Sequence, residues 1–307
     1  MTDLHPQAAG LLKAMEEQGA PSIAESTLAD ARAMSGMLKT MLGDGPEVGD
    51  VRVVKVPVDG AELDAVVYEP SEAPVGLIVY SHGGGFSCGA PQDFDAMYRK
   101  LVVASGCRLI SLDYRLSPEH PFPVGLNDAY EGLLWAAENL ADGLPIIVAG
   151  DSSGANFAAV AAIRARDNDG PKLAYQVLIY PVTDHDFSRG SYQEHGDSGL
   201  FVGRADMEWY WDHYTKDEGE RNSPEASPIR TESLAGLPPA LILIDEFDPL
   251  RDEGRAYVER LEAAGVPVTV DYVADQLHGF FVMVNVMESA DQAVERVGAA
   301  VKDAVAG

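Results

Sequence analysis

From Val75 onward, short segments that read as strands alternate with longer segments whose apolar residues recur at helical spacing, and this alternation leaves few folds open. The strand segments are Val75–Tyr80, Cys107–Leu112, Pro145–Ala149, Leu173–Tyr180, Ala240–Ile244 and Val268–Val273. Val75–Tyr80 is a short continuous apolar run, as suits a strand covered on both faces. Between the strand segments, the face formed by Phe94, Met97, Tyr98 and Leu101 reads as helix, as do Val124–Leu140, Gly154–Arg166 and Arg251–Ala264. A last helix carries Ala290, Ala293, Val294, Val297 and Val301 on one side. Repeated strand–helix–strand units require right-handed crossovers and imply an α/β fold with a mainly parallel, doubly wound sheet.

Two stretches break the rhythm. Leu4, Ala8, Leu11, Leu12 and Met15 fall at helical spacing, as do Met34, Met37, Leu38 and Met41, before Gly43–Gly49 interrupts the pattern. Residues 1–45 therefore read as a helical arm. Val51–Val56 and Ala61–Glu69 follow as a strand pair turned by Asp59-Gly60. Residues 183–236 are polar, aromatic and acidic, with Met207, Trp209, Tyr210 and Trp211 on one expected helix. The expected organisation is one domain over residues 46–307, with residues 1–45 and the 183–236 insertion as candidate lid segments. Met34, Met37, Met41, Trp209 and Trp211 either line an apolar pocket beneath that lid or serve as packing.

Composition narrows the partners. The 307 residues hold 22 Lys+Arg against 49 Asp+Glu, a formal net charge of −27. A nucleic-acid or anionic-membrane partner needs a basic face, so both are excluded. No apolar run reaches the length of a membrane span, and Met1–Gly10 lacks the charge and apolar core of a signal peptide. Cys88 and Cys107 are too few for a disulfide framework or a zinc site of their own, and read as reduced, packed thiols in a cytoplasmic protein.

The pattern Gly-x-Ser-x-Gly occurs twice, at Gly85–Gly89 and Gly150–Gly154. A nucleophile elbow needs a strand running into a sharp turn and directly out into a helix. Ser152 has both; Ser87 is followed by Gly89-Ala90-Pro91, which bars an immediate helix. Ser152 is therefore the candidate nucleophile. A serine hydroxyl needs an imidazole to take its proton and an acid to orient that imidazole. His185, His195 and His213 lie in the polar insertion and read as surface or lid residues, whereas His278 follows a late strand and is the candidate base. The acid is expected after Ala240–Ile244, where Asp245, Glu246, Asp248 and Asp252 compete. Asp248 precedes Pro249, a favoured first helical residue, so it also reads as a helix N-cap. Spacing does not separate Asp245 from Asp248. His82-Gly83-Gly84-Gly85 closes a strand where an oxyanion loop must sit, and the expected hole combines the amides of Gly84, Gly85 and Ser153. A phosphate cradle is the weaker reading, because the run lacks a Gly-Lys-Ser/Thr ending.

Taken with Tyr114–Pro123, Asp248–Gly254, His278-Gly279-Phe280, His5-Pro6 and the Met207–Trp211 cluster, these motifs resemble the hormone-sensitive-lipase-like branch of the α/β-hydrolases, in particular its bacterial carboxylesterases. The resemblance implies an α/β-hydrolase fold with a helical lid, and a serine carboxylesterase acting on short-to-medium acyl esters. It assigns Ser152 as nucleophile, Asp248 as acid and His278 as base, makes His82 a loop-organising residue, and calls for no metal or cofactor. This chain has Ser153 and Ala155 where the family commonly has Ala and Gly. The implied partner is a small-molecule ester, and the resemblance is compatible with a homodimer. Lactone or amide hydrolysis could use the same groups. A ligand-binding receptor on this scaffold, as in plant relatives with an impaired triad, fits poorly with an intact Ser, Asp and His. The acidic charge favours neutral over anionic esters.

Overall fold

The computed structural model describes residues 3–306; Met1, Thr2 and Gly307, the ends of the two expected segments, lie outside them. Eight strands form one sheet in the order β1-β2-β4-β3-β5-β6-β7-β8. They are β1 (Asp50–Val58), β2 (Ala61–Glu69), β3 (Leu77–Ser81), β4 (Arg108–Leu112), β5 (Ile146–Asp151), β6 (Leu173–Ile179), β7 (Ala240–Phe247) and β8 (Val268–Leu277). β1 and β2 form the antiparallel hairpin expected from Asp59-Gly60, β2 pairs antiparallel with β4, and every other pair is parallel.

Side chains alternate across each strand. Val148, Leu178, Ile242 and Ile244 join a core on one face, while Ile147, Ala149, Val177, Ile179, Leu241 and Leu243 join a second core on the other. α1 (Pro6–Glu17), α2 (Leu28–Gly36) and α3 (Leu38–Leu42) make up the N-terminal arm. α4 (Asp95–Ser105), α5 (Val124–Asn139) and α6 (Ser153–Asp167) follow the successive crossovers. α7 (Gly190–His195), α8 (Arg204–Tyr214) and α9 (Glu218–Arg221) lie in the insertion, and α10 (Arg251–Ala263) and α11 (Glu288–Ala306) complete the chain. α6 is buried almost all round, consistent with its run of Ala, Val and Phe. α11 buries the five residues expected, Ala290, Ala293, Val294, Val297 and Val301.

Several strand boundaries differ from the sequence reading. β3 starts at Leu77, because Val75 is 41% exposed and belongs to the preceding loop. β7 runs on to Phe247, which makes Asp245 and Glu246 strand residues. α10 begins at Arg251, as expected, and ends at Ala263. Strand order reverses between β3 and β5, and the crevice at their carboxyl ends is where sheets of this kind bind ligands.

Candidate active site

Ser152 sits where β5 passes into α6, with φ 53° and ψ −120°, a conformation that L-residues seldom hold. The surroundings fix it: its amide donates to Ile179 O (2.9 Å), and its carbonyl accepts from Ala155, Asn156 and Val182. So sharp a turn works only with small neighbours. A Cβ on Gly154 would collide with the backbone oxygens of Ser81 and His82 at the end of β3. Gly154→Ala is expected to force the elbow and the His82 loop apart. Overpacking of this kind costs about 1–3 kcal/mol, to be read as a lowered Tm together with a loss of turnover.

Ser152 Oγ lies 2.9 Å from His278 Nε2, and His278 Nδ1 lies 2.8 Å from Asp248 Oδ2. Asp248 is the first residue after β7, and its second oxygen accepts the Leu250 amide at 2.8 Å. The structure thus brings Ser152, His278 and Asp248 together, and Asp248 also closes a local turn ahead of α10, whose N-cap position is Leu250. Asp245 is not part of this group. It is fully buried, and among the described residues neither of its oxygens has a hydrogen-bond partner. Strand alternation turns it toward the face of Leu241 and Leu243. Burial, with Asp248 and Asp271 nearby, holds its carboxyl well above the usual range.

The loop after β3 carries three consecutive left-handed residues, Gly84 (φ 122°), Gly85 (φ 58°) and Phe86 (φ 64°). Among the described residues, none accepts a backbone hydrogen bond from the amides of Gly84, Gly85 or Ser153. Gly85 has no room for a side chain, since the Tyr210 ring of α8 occupies the space of a Cβ. His82 stacks on Tyr114 (4.3 Å between centroids) and Phe94 (5.4 Å), and its Nδ1 lies 2.7 Å from Gly83 O. Burial lowers its pKa to about 4, which favours the neutral ring.

A sequence profile described as alpha/beta hydrolase fold matches residues 78–282. The chain belongs to the α/β-hydrolases. It is 38% identical over 285 residues to carboxylesterase NlhH of Mycobacterium tuberculosis, covering 90% of this chain and 89% of that protein. It is also 38% identical over 248 residues to carboxylic ester hydrolase LipN of the same organism, covering 77% of this chain and 66% of LipN. The crystal structure of a thermostable esterase from Pseudomonas putida ECU1011 superposes with a TM-score of 0.93 at 33% identity, over 99% of this chain and 98% of that one. With these relatives the hydrolase falls in the hormone-sensitive-lipase-like carboxylesterases, and its substrates are small-molecule carboxylic esters.

Sequence reasoning missed several groups around this hydrolase's site. Asp151, inside the elbow motif, accepts the Gly83 amide (2.9 Å) and the Tyr80 hydroxyl (3.1 Å). Burial pushes its carboxyl up to about 6. An acid in the variable position of the pentapeptide was the available signal. Glu253, buried on α10, accepts the amides of Thr183 (2.7 Å) and Asp184 (3.3 Å) at the start of the insertion. The insertion's neck is closed by Ile229 N donating to Thr183 O (3.2 Å), and Asn156 of α6 donates to both Val182 O and Ala226 O.

The arm and insertion also depart from expectation. Met37 and Met41 are 67% and 43% exposed, so they neither pack nor line an enclosed pocket. Trp211 is fully buried against Phe86 and Tyr214, and Trp209 packs on Tyr210 and His213. His195, expected near the surface, is buried, because the Arg251 guanidinium gathers it with Glu194 and Glu246. That trio has ligand atoms close enough to hold a cation, but Arg251 already supplies its positive charge. Ser87, the second motif serine, is buried in the loop. Cys88 and Cys107 are free and buried, and burial pushes both thiols up to about 11. Among the described residues, no helix is long and apolar enough to cross a membrane.

Proposed function

We propose that the protein hydrolyses neutral short-to-medium acyl esters through an acyl-enzyme on Ser152. The observation that carries this reading is the chain of contacts from Ser152 Oγ through His278 to Asp248, at 2.9 and 2.8 Å, on a serine held at positive φ. In the first step Ser152 Oγ attacks the ester carbonyl while His278 Nε2 takes its proton, and Asp248 stabilises the imidazolium. The amides of Gly84, Gly85 and Ser153 hold the tetrahedral oxyanion. His278 then returns the proton to the departing alcohol. Water enters by the same route, with His278 as base, and releases the acid. These steps use protein groups only and call on no metal or organic cofactor.

Residues 1–45 and 183–236 are read as the lid on a catalytic domain spanning 46–307. Tyr210, lying over Gly85, supports this by placing an insertion residue on the oxyanion loop. Two unpaired buried thiols fit a reducing cytoplasm.

The test is hydrolysis of p-nitrophenyl esters from acetyl to dodecanoyl, with Ser152→Ala as the blank. Turnover is expected to be greatest at short to medium chain length. Wild-type rates equal to the blank at every length would sink the reading. The −27 charge adds a second expectation. At low salt, kcat/KM for p-nitrophenyl butyrate should exceed that for the anionic mono-p-nitrophenyl succinate, and added salt should narrow the gap. Equal efficiency at low salt would remove the preference for neutral esters.

A further inference from the structure

Arg32 of α2 reaches from the N-terminal arm into the turn that carries Gly84 and Gly85. Its Nε donates to Ser87 O (2.9 Å) and its Nη2 to Ser117 O (3.0 Å), while the fork also binds both oxygens of Glu119 (2.7 and 2.6 Å). Ser87 and Cys88 donate their amides back to Gly84 O (3.1 and 2.9 Å), and Ser117 N donates to Phe86 O (3.0 Å). The turn 84–88 is thus closed on itself; the Phe86 ring stacks on Tyr214 (3.8 Å between centroids), and the hydrogen bonds that tie the turn's carbonyls outward, through Ser87 O and through Ser117, meet at one guanidinium. The Ser87 hydroxyl offers no alternative hold, since it is buried without a partner among the described residues. Three consecutive residues at positive φ keep their shape only where the surroundings over-determine them.

We propose that Arg32 is a positioning residue for the oxyanion loop, so that docking of the N-terminal arm and shaping of the hole are one event. The inference rests on the reading above, in which the amides of Gly84 and Gly85 hold the oxyanion. A planar fork suits the task, because it serves two carbonyls and a carboxylate at once, whereas a lysine ammonium is a point charge on a flexible stem. Glu119 neutralises the guanidinium, but the links to the loop are those to Ser87 O and Ser117 O.

A residue that only pinned the arm would affect long substrates, mainly through KM. One that shapes the hole acts on the tetrahedral species, whatever the acyl length. The experiment compares p-nitrophenyl acetate hydrolysis with inhibition by 1,1,1-trifluoro-2-butanone in wild type, Arg32→Ala, Arg32→Lys, Glu119→Gln and Ser152→Ala. In forming the inhibitor adduct, Ser152 Oγ bonds to the ketone carbon, its proton passes to His278, and the carbonyl oxygen becomes the oxyanion.

For Arg32→Ala, kcat is expected to fall about tenfold or more, a fraction of the roughly 10²–10³ seen for loss of a whole oxyanion donor. KM should stay within about twofold, and the inhibition constant should rise by the same factor as kcat/KM falls. Arg32→Lys should fall between, and Glu119→Gln should remain within about threefold of wild type because both carbonyl bonds persist. Should Arg32→Ala fail to fold, Arg32→Lys carries the comparison. Wild-type kcat and inhibition in the Arg32 variants would overturn the proposal, as would a Glu119→Gln loss equal to that of Arg32→Ala. If Ser152→Ala keeps its turnover, or the ketone leaves the wild type uninhibited, the triad reading fails first and takes this inference with it.

Discussion

Ser152→Ala is expected to lower kcat on p-nitrophenyl butyrate by about five to six orders of magnitude, the scale seen when a serine protease loses its nucleophile. The substitution removes one oxygen and leaves the backbone alone. Alanine meets the same left-handed strain as serine, and the amide of residue 152 still donates to Ile179 O. Thermal stability should therefore stay within about 1 kcal/mol of wild type, which separates a chemical loss from a folding one. On the proposed mechanism Ser152 and His278 act as one unit, so Ser152→Ala/His278→Ala should be no slower than either single variant. Residual activity within a hundredfold of wild type, or additive losses in the double variant, would mean that the ester is cleaved by other groups.

The second large effect distinguishes two aspartates three positions apart. Asp248→Asn is expected to cost about 10⁴ in kcat, because an amide facing His278 Nδ1 can hold the imidazole in the wrong tautomer. Asp245→Asn should leave kcat within a few-fold, since Asp245 touches neither His278 nor Ser152 through any hydrogen bond in the structure. Its effect should be on stability, and the sign follows from its raised pKa. Below the ordinary value of 3.8 the carboxyl is protonated in both folded and unfolded chains. Above it the unfolded chain releases the proton while the folded chain retains it, so the wild type loses stability as pH rises toward the folded value. Asparagine has no such proton to retain. The Tm of Asp245→Asn minus that of wild type should thus grow from pH 5 to pH 8 in melts followed by circular dichroism. A constant difference across that range would contradict the buried, protonated assignment. An Asp245→Asn loss of activity exceeding that of Asp248→Asn would reverse the choice of acid.

That ambiguity is instructive about what the sequence could carry. Ser152 was legible because an elbow is local: five residues between an apolar strand and a helix. His278 was legible from chain order. Spacing alone leaves Asp245 and Asp248 unseparated, because a strand end is read where apolar residues stop, at Ile244, and only the motif resemblance singles out Asp248. β7 continues to Phe247 with Asp245 buried inside it, where burial holds the carboxyl well above its usual range. Charge in the sequence is written as if in water, and burial changes it. His195 is a second case, a polar residue in a polar segment that becomes buried once Arg251 gathers its neighbours. Arg32 was illegible for a different reason. Periodicity found the helical arm, but the bond from Arg32 to Ser87 O joins residues 55 positions apart, which no local pattern encodes.

The closed neck of the insertion has a practical corollary. Thr183 and Ile229 are bonded to each other, Asn156 holds the carbonyls of Val182 and Ala226, and Glu253 receives the amides of Thr183 and Asp184. Everything between 185 and 225 therefore enters and leaves the scaffold through a single gathered point, as a cassette does. Exchanges of that cassette between relatives should be spliced inside the gather, keeping 182–184 and 226–229. Splices made at the ends of β6 and β7 would sever the bonds that keep α6, and with it the Ser152 turn, in register with α10 and Asp248.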